Sequence, residues 1–208
     1  MVVMNNSLKR FIEKNIELIE LGEIEKLYEL VAAQSVENIS ALGSILRSLD
    51  MNPLDKLDRV PAWYRYNDQT IYGEVIPDHI KAIGSNAYDN CKELKQVDLG
   101  KIDFISSYAF MNSGLEKVHI PATCMQISMS AFMNCEHLNE VIIDEGVQNI
   151  ASRAFKFTSL KEIKLPSSIA FLGNSIFDVT TKLLIPRNNK AIEHYLETHS
   201  AQVYEYIS

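Results

Sequence analysis

An aromatic residue recurs along most of this 208-residue chain at a nearly fixed interval of 22 or 23 positions. From the second ring onward, the residue before it is alanine, except in the last copy, where it is Ile176. A period of this length is typical of a solenoid, in which one supersecondary unit stacks on copies of itself. The sequence therefore predicts a ladder of interior rings in one continuous coil. Its members are Tyr66, Tyr88, Phe110, Phe132, Phe155 and Phe177.

Two further apolar positions repeat with the same period. One lies five residues before each ring, at Ile83, Ile105, Ile127, Ile150 and Leu172. The other ends a short alternating segment, at Leu99, Ile120, Ile143, Leu165 and Ile185. In that segment Val97 and Leu99 flank Asp98, which is the alternation of a short half-buried strand. Stacking such segments predicts a parallel sheet whose outer face shows one residue per turn.

The outward positions of this predicted sheet form two rows. The first is Val75, Asp98, His119, Ile142, Lys164 and Leu184, and the second is Gln96, Lys117, Glu140, Glu162 and Lys182. Mixed charges beside exposed apolar residues are typical of a binding face, and also of an ordinary sheet surface. Because solenoids present extended surfaces to their partners, we favour a protein-binding face. Its members are Asp98, His119, Ile142, Lys164, Leu184, Lys117, Glu140 and Glu162.

The segments on either side of the repeats have a helical pattern. Residues 1–59 carry apolar stripes such as Leu8, Phe11 and Ile12, which predict an N-terminal helical cap. The same region holds an acidic run, which is a docking face for a basic partner or simply a solvated surface. The predicted solenoid covers 60–186, and the predicted C-terminal cap covers 187–208. There a helix at 188–199 and a terminal strand around Tyr204 and Tyr206 are expected to cover the open end of the stack.

The repeat unit resembles that of the BspA-type (treponemal) leucine-rich repeat family. That unit reads roughly I-x-x-I-x-x-x-A-F-x-x-C-x-x-L-x-x-V-x-I-P, and it is matched in register by Ile127, Ala131, Phe132, Cys135, Leu138, Val141 and Ile143. The resemblance covers about residues 60–186, with Ser113, Thr158 and Thr180 replacing the cysteine. It implies an α+β fold: a leucine-rich-repeat solenoid with a short-strand parallel sheet, preceded by the helical cap and followed by a closing segment like that of the family.

Composition and charge narrow the function classes. Twenty Lys and Arg against 27 Asp and Glu give a net charge of −7, and no basic cluster offers phosphate contacts, so nucleic acid is not an expected partner. No apolar run approaches the ~18 residues of a membrane span, and Met1–Asn6 is too short for a signal peptide. We therefore expect a soluble, cytoplasmic protein with no membrane partner. The oligomeric state is left open.

Motifs for catalysis are absent from the sequence. It contains no phosphate-binding loop, no dinucleotide-binding turn, no nucleophile elbow and no H-E-x-x-H pair. Cys135 and His137 are close in sequence, but Cys135 occupies an inward position and the two are expected to point apart, which disfavours a metal. Cys91 and Cys135 lie two turns apart, roughly 9–10 Å, which is too far for a disulfide. The sequence predicts no enzyme activity, no metal and no cofactor.

Three functions remain. We favour a non-catalytic protein-recognition scaffold that binds another protein through the sheet face or the helical cap. The alternative is an inhibitor of a host defence protein, because small acidic chains with a helical head and such repeats resemble proteins of bacteriophages and mobile elements. Carboxylates gathered in one stripe would favour that inhibitor. The third is a structural or adhesive module, for which a stable oligomer would be the sign.

Overall fold

The computed structural model describes residues 75–207 without a gap, and only scattered residues before them. Those earlier residues are Glu23, Lys26, Leu27, Glu29, Leu30, Leu54, 57–61 and Tyr64. The predicted helical cap at 1–59 lies almost entirely outside the described residues, as does most of the acidic run. Tyr66, the first predicted ring, also lies outside them.

Short strands and a C-terminal helix make up most of the regular structure of the described part, and Lys26, Leu27, Glu29 and Leu30 are also helical. The strands are β1 (Arg59–Val60), β2 (Ala82–Ile83), β3 (Phe104–Ile105), β4 (Lys117–Ile120), β5 (Gln126–Ile127), β6 (Glu140–Ile143), β7 (Asn149–Ile150), β8 (Glu162–Lys164), β9 (Phe171–Leu172), β10 (Lys182–Pro186) and β11 (Tyr204–Ile207). The helix α1 runs from Lys190 to Thr198, within the predicted span 188–199. Each repeat supplies two strands, so the coil has two strand-bearing sides.

One side is a continuous parallel sheet in the order β1-β2-β3-β5-β7-β9. Its register pairs Val60 with Ile83, Ile83 with Ile105, and so on to Leu172. From Ile83 onward these are the apolar positions five residues before each ring. Sequence analysis identified these positions as a repeat but did not identify them as strands. Each strand has only two residues, which is too short to show an alternating pattern.

The other side carries the predicted short-strand parallel sheet, but in separate hydrogen-bonded segments. A single bridge joins Val75 to Asp98, β4 pairs with β6, and β8, β10 and β11 form a three-stranded sheet. The strand β6 lies beside β8 without a described ladder between them. The expected single sheet is thus interrupted. Because each strand has at most five residues, side-chain packing between the two sides contributes more than the ladder to holding the turns together.

Between the two sides, five parallel rings form an interior stack. Successive centroids lie 5.0, 5.0, 5.1 and 5.7 Å apart, and successive planes are within 5° of parallel. The rings are buried and belong to Tyr88, Phe110, Phe132, Phe155 and Phe177. Tyr64 contacts the Tyr88 end of the stack edge-on, with ring centroids 5.7 Å apart. The spacing matches the ~4.8 Å separation of stacked strands, so ring and backbone repeat together.

The turn around each ring uses left-handed backbone. Asn112 and Asn134 have φ near +57° and +59°, and Asn is among the residues that adopt this region most readily. The side-chain amide of Asn134 donates to that of Asn112 at 3.0 Å. The two asparagines therefore continue the stack on the outer side of the turn.

The position occupied by Cys135 shows why small polar residues replace cysteine elsewhere in the repeat. Its thiol donates to the Phe110 carbonyl at 3.0 Å and lies 3.3 Å from the Ser113 hydroxyl. All three cysteines of the chain are buried, and none forms a disulfide. The position thus suits a small group that can bond a backbone carbonyl, and threonine can provide it: the Thr158 hydroxyl donates to the Phe155 carbonyl at 3.1 Å.

Burial makes the thiols of Cys124 and Cys135 unreactive. It raises the pKa of Cys124 to about 12 and that of Cys135 to about 11. We expect both to stay unmodified by iodoacetamide at pH 8 in the folded protein and to react fully in denaturant, because the thiolate is the nucleophile. Peptide mass spectrometry after timed labelling measures this. Rapid labelling of native Cys135 would contradict the packing described above.

The raised pKa values of Cys124 and Cys135 also predict how the stability of the fold changes at alkaline pH. An unfolded thiol ionises near pH ~8.5, whereas these ionise only at higher pH when folded, so between those values the unfolded chain binds fewer protons. The contribution of the two thiols to stability is complete below pH ~8.5 and is lost as the pH rises. Substituting Cys135→Ser, which copies Ser113, should reduce that loss without changing the fold.

The C-terminal segment follows the last repeat. Asn189 caps α1 by accepting the Ile192 amide at 3.0 Å, and Ile192 and Tyr195 are buried against the coil. The strand β11 pairs parallel with β10. In the described part of the chain, no helix has the length and apolar character needed to cross a membrane.

Candidate functional site

An open groove of about 610 Å³ runs across the interrupted sheet side of the first turns. Its outer positions come from four successive turns and combine apolar and charged side chains. They are Val75, Gln96, Asp98, Lys117, His119, Glu140 and Ile142. We call this surface the sheet groove.

Strand alternation places these side chains outward. In β4 and β6, Val118 and Val141 point into the core while Lys117 and His119 are exposed. The parallel register sets Lys117 opposite Glu140 and His119 opposite Ile142. Opposite charges and an apolar–imidazole pair therefore lie side by side, in the arrangement that stabilises adjacent strands.

The electrostatics of the groove centre on His119. Its Nε2 lies 2.9 Å from a carboxylate oxygen of Asp144, with both side chains more than one-third exposed. An exposed pair of this kind contributes little to folding stability. Its effect is to orient the imidazole beside Ile142, so the groove presents a positioned ring at its centre.

The loop after β6 is held by Glu145. Its carboxylate accepts hydrogen bonds from the Ser167 amide at 3.0 Å, the Ser167 hydroxyl at 2.9 Å and the Ser168 amide at 3.1 Å. The Ser167 backbone bond is the main cause that lowers the pKa of Glu145 below its ordinary value. The loop that positions Asp144 is therefore tied to the next turn.

At the other end of the groove, Asp98 accepts the Gly100 amide at 3.0 Å. Just outside it, Lys101 donates to Asp78 at 2.6 Å. This hydrogen bond and the attraction between the charges lower the pKa of Asp78 and raise that of Lys101. Both groups are fully solvent-exposed, so the pair shapes the rim rather than the stability of the fold.

The structure divides the sequence-predicted face into two parts. Asp98, His119, Ile142, Lys117 and Glu140 line the sheet groove. The remaining members lie outside it, on β8 and β10: Glu162 and Lys164 are exposed, and Leu184 is half-buried. The groove is thus an N-terminal portion of the predicted face.

Asp144 is the residue that sequence analysis did not connect with the face. In the repeats, proline follows the strand end at Pro121, Pro166 and Pro186, whereas Asp144 takes that place in the β6 repeat. This departure from the repeat could have identified Asp144 from the sequence as a residue of the face. The sequence placed Val75 in the outer row. Only the tertiary structure shows that it is 64% exposed and lies at one end of the groove.

No arrangement for metal chemistry is found in the described part of the chain, where no group of three or more His, Cys, Asp or Glu side chains could hold an ion. Cys135 is fully buried and His137 is exposed. The two side chains therefore lie on opposite sides of the turn surface, as their repeat positions predict.

Comparison with known proteins identifies the repeat. The family model described as BspA type leucine rich repeat region matches residues 64–184 in six copies. Among curated proteins, none matches this sequence significantly. The pneumococcal vaccine antigen PcpA is similar in structure, with 25% identity and a TM-score of 0.51 over 56% of this chain and 31% of PcpA.

Two further solved structures are similar to part of this chain. A leucine rich cell surface protein from Faecalibacterium prausnitzii has 25% identity and a TM-score of 0.42 over 53% of this chain and 38% of its own. A leucine-rich repeat protein from Bacteroides ovatus has 19% identity and a TM-score of 0.41 over 68% and 45% of the two chains. This chain thus spans about a third of the length of PcpA and of the Faecalibacterium protein.

Proposed function

This chain belongs to the BspA-type leucine-rich repeat family, and from that premise we propose that it is a non-catalytic recognition scaffold whose sheet groove binds another protein. The observation that carries the proposal is the pair of exposed apolar residues in the groove. Val75 is 64% exposed and Ile142 is 50% exposed. Polar and charged side chains fill the space between them, so the groove offers two apolar anchors within a polar surround.

The spacing of these anchors describes the partner. Val75 and Ile142 are three turns apart, which is about 14 Å at the spacing of stacked strands. A partner segment in extended conformation covers that distance in about four residues. We therefore expect a segment with two apolar side chains at that separation. Polar groups between them would face Asp98 and His119.

The distribution of charge favours this function over the acidic inhibitor. Across the described sheet face, Glu140 lies opposite Lys117 and Glu162 lies opposite Lys182. Each of these carboxylates thus has an amine opposite it, which suits a partner of mixed charge rather than a basic one. The inhibitor, the adhesive module and the cytoplasmic location stay predictions from the sequence.

A double substitution tests the proposal. We expect His119→Asp with Ile142→Asp to weaken binding of the native partner by at least about 30-fold, because both central groups of the groove become charged. Partners captured from the native host by the immobilised protein would be identified by mass spectrometry, and the affinity of the purified partner would then be measured by titration calorimetry.

Met125→Asp with Phe171→Asp is the matched control, because both residues are exposed and neither lines the groove. The control should retain the partner, and both variants should melt close to the unchanged protein. Full affinity in the His119–Ile142 variant would exclude the sheet groove as the binding surface.

A further inference from the structure

Within the described residues, the last strand of the coil pairs along one edge only. In the three-stranded sheet β8-β10-β11, β11 is at the edge. The Leu183 amide donates to the Val203 carbonyl at 2.9 Å. Because a parallel ladder uses alternate residues, the amides and carbonyls of Tyr204 and Tyr206 point away from β10. An extended chain can pair with such an edge.

Aromatic side chains on β11 stand at core positions without core burial. The register sets Tyr204 opposite Leu183 and Tyr206 opposite Ile185, and both aliphatic partners are fully buried. Tyr204 and Tyr206 are instead 47% and 39% exposed. The strand therefore begins another turn whose inner side remains uncovered within the described structure.

A cavity of about 440 Å³ lies between this strand and α1. Leu196 and the two tyrosines supply its apolar surface, and Glu193 and Glu197 supply carboxylates from the exposed side of the helix. Gln202, at the base, is anchored by its side chain to the backbone of Asp178 and Thr181. The cavity thus joins a hydrogen-bonding edge, an aromatic surface and two negative charges.

The other charged groups nearby are already engaged. Glu205 is bonded to Lys182, and His194 lies 3.7 Å from Glu197. His199 accepts the Ser175 amide through Nε2 at 3.1 Å. The Arg187 guanidinium lies 5.0 Å from the Tyr206 ring centre but does not line the cavity. The charges that line the cavity are therefore predominantly negative.

We propose that the open edge of β11 binds an extended segment of a partner protein, with alternating apolar and basic side chains, at a second interaction surface distinct from the sheet groove. The segment pairs with the outward amides and carbonyls of Tyr204 and Tyr206, as in strand addition. Its apolar side chains cover the tyrosine rings, and a Lys or Arg reaches Glu193 and Glu197. A second copy of this chain fits less well, because it brings the same carboxylates to the interface twice.

Hydrogen exchange with two synthetic probes tests this proposal. The probes are an alternating Lys-Val peptide and an alternating Glu-Val peptide of equal length. The basic peptide should slow exchange of the Tyr204 and Tyr206 amides by at least about tenfold, and the acidic peptide should not. Exchange at Glu205 should change little, since ladder alternation already directs its amide to β10.

Variants separate the two interaction surfaces. Glu193→Gln with Glu197→Gln should weaken binding of the basic peptide by about fivefold at low salt. Tyr206→Pro removes an outward amide from an edge strand, so it should abolish the protection of the Tyr204 amide by that peptide. His119→Asp with Ile142→Asp should leave peptide binding unchanged. The proposal for the sheet groove can therefore fail without affecting the proposal for β11. The same result for both peptides would overturn the proposal. The proposal would also be overturned if the protein sediments as a dimer and its Tyr204 and Tyr206 amides are protected from exchange without peptide.

Discussion

Replacing Phe132 with alanine is expected to lower the free energy of unfolding by about 3–5 kcal/mol. Phe132 is fully buried and lies in the middle of the ring stack, 5.0 Å from Phe110 and 5.1 Å from Phe155. Its removal loses the transfer free energy of the ring and leaves a cavity. The neighbouring rings cannot close it, because each is positioned by its own turn of backbone.

Guanidinium denaturation followed by circular dichroism measures this loss of free energy. Thermal denaturation of the same variant should show a fall in Tm of roughly 6–20 °C. Phe171→Ala is the matched control: the same substitution on β9, where the ring is 54% exposed, should cost at most about 1 kcal/mol. A fall in Tm below about 2 °C for Phe132→Ala would contradict a stability that depends on the ring stack.

The second large effect is expected at Gly146, where alanine should cost about 3 kcal/mol or more. Its φ is +124°, a conformation that side-chain-bearing residues rarely adopt. A Cβ added there would lie 2.2 Å from the Ala122 carbonyl oxygen and 3.1 Å from its carbon. Both atoms belong to the backbone of the preceding turn, so the two turns would have to separate.

Gly100→Ala provides a graded comparison for this substitution. Gly100 has φ +56°, and its added Cβ would lie 2.7 Å from the Ile76 carbonyl oxygen. The backbone region is one that other residues tolerate at about 1–2 kcal/mol, and the contact is less severe. Chemical denaturation of both variants should therefore rank Gly146→Ala as the more damaging. Equal losses would show that the loop after β6 adjusts freely.

The repeat could be predicted from sequence because a solenoid uses each position in the same way in every turn. The rings at Phe110, Phe132 and Phe155 are interior for the same reason, so their period alone located them. At the first turn the period predicts Tyr66, which lies outside the described residues. The described ring next to Tyr88 is Tyr64, which meets it edge-on. The period alone did not indicate Tyr64, because the opening turn has only one neighbour and its sequence is less constrained by stacking.

The candidate site was partly predictable for the same reason. Strand alternation identified Asp98, His119 and Ile142 as outward residues in register, and these residues line the sheet groove. The repeat could not show that Lys164 and Leu184 lie outside it. That division depends on how neighbouring turns pack against one another, which no single repeat records.

By itself, the sequence determined the period of the coil, the inward or outward direction of its side chains, and the family to which the repeat belongs. These properties follow from local spacing and from the need to bury one apolar set in each turn. Only the tertiary structure decided that the two-residue strands form the longer sheet, that Asp144 orients His119, and that β11 leaves its tyrosines exposed. Each of these depends on which turn lies beside which, and therefore on contacts between residues about 22 positions or more apart.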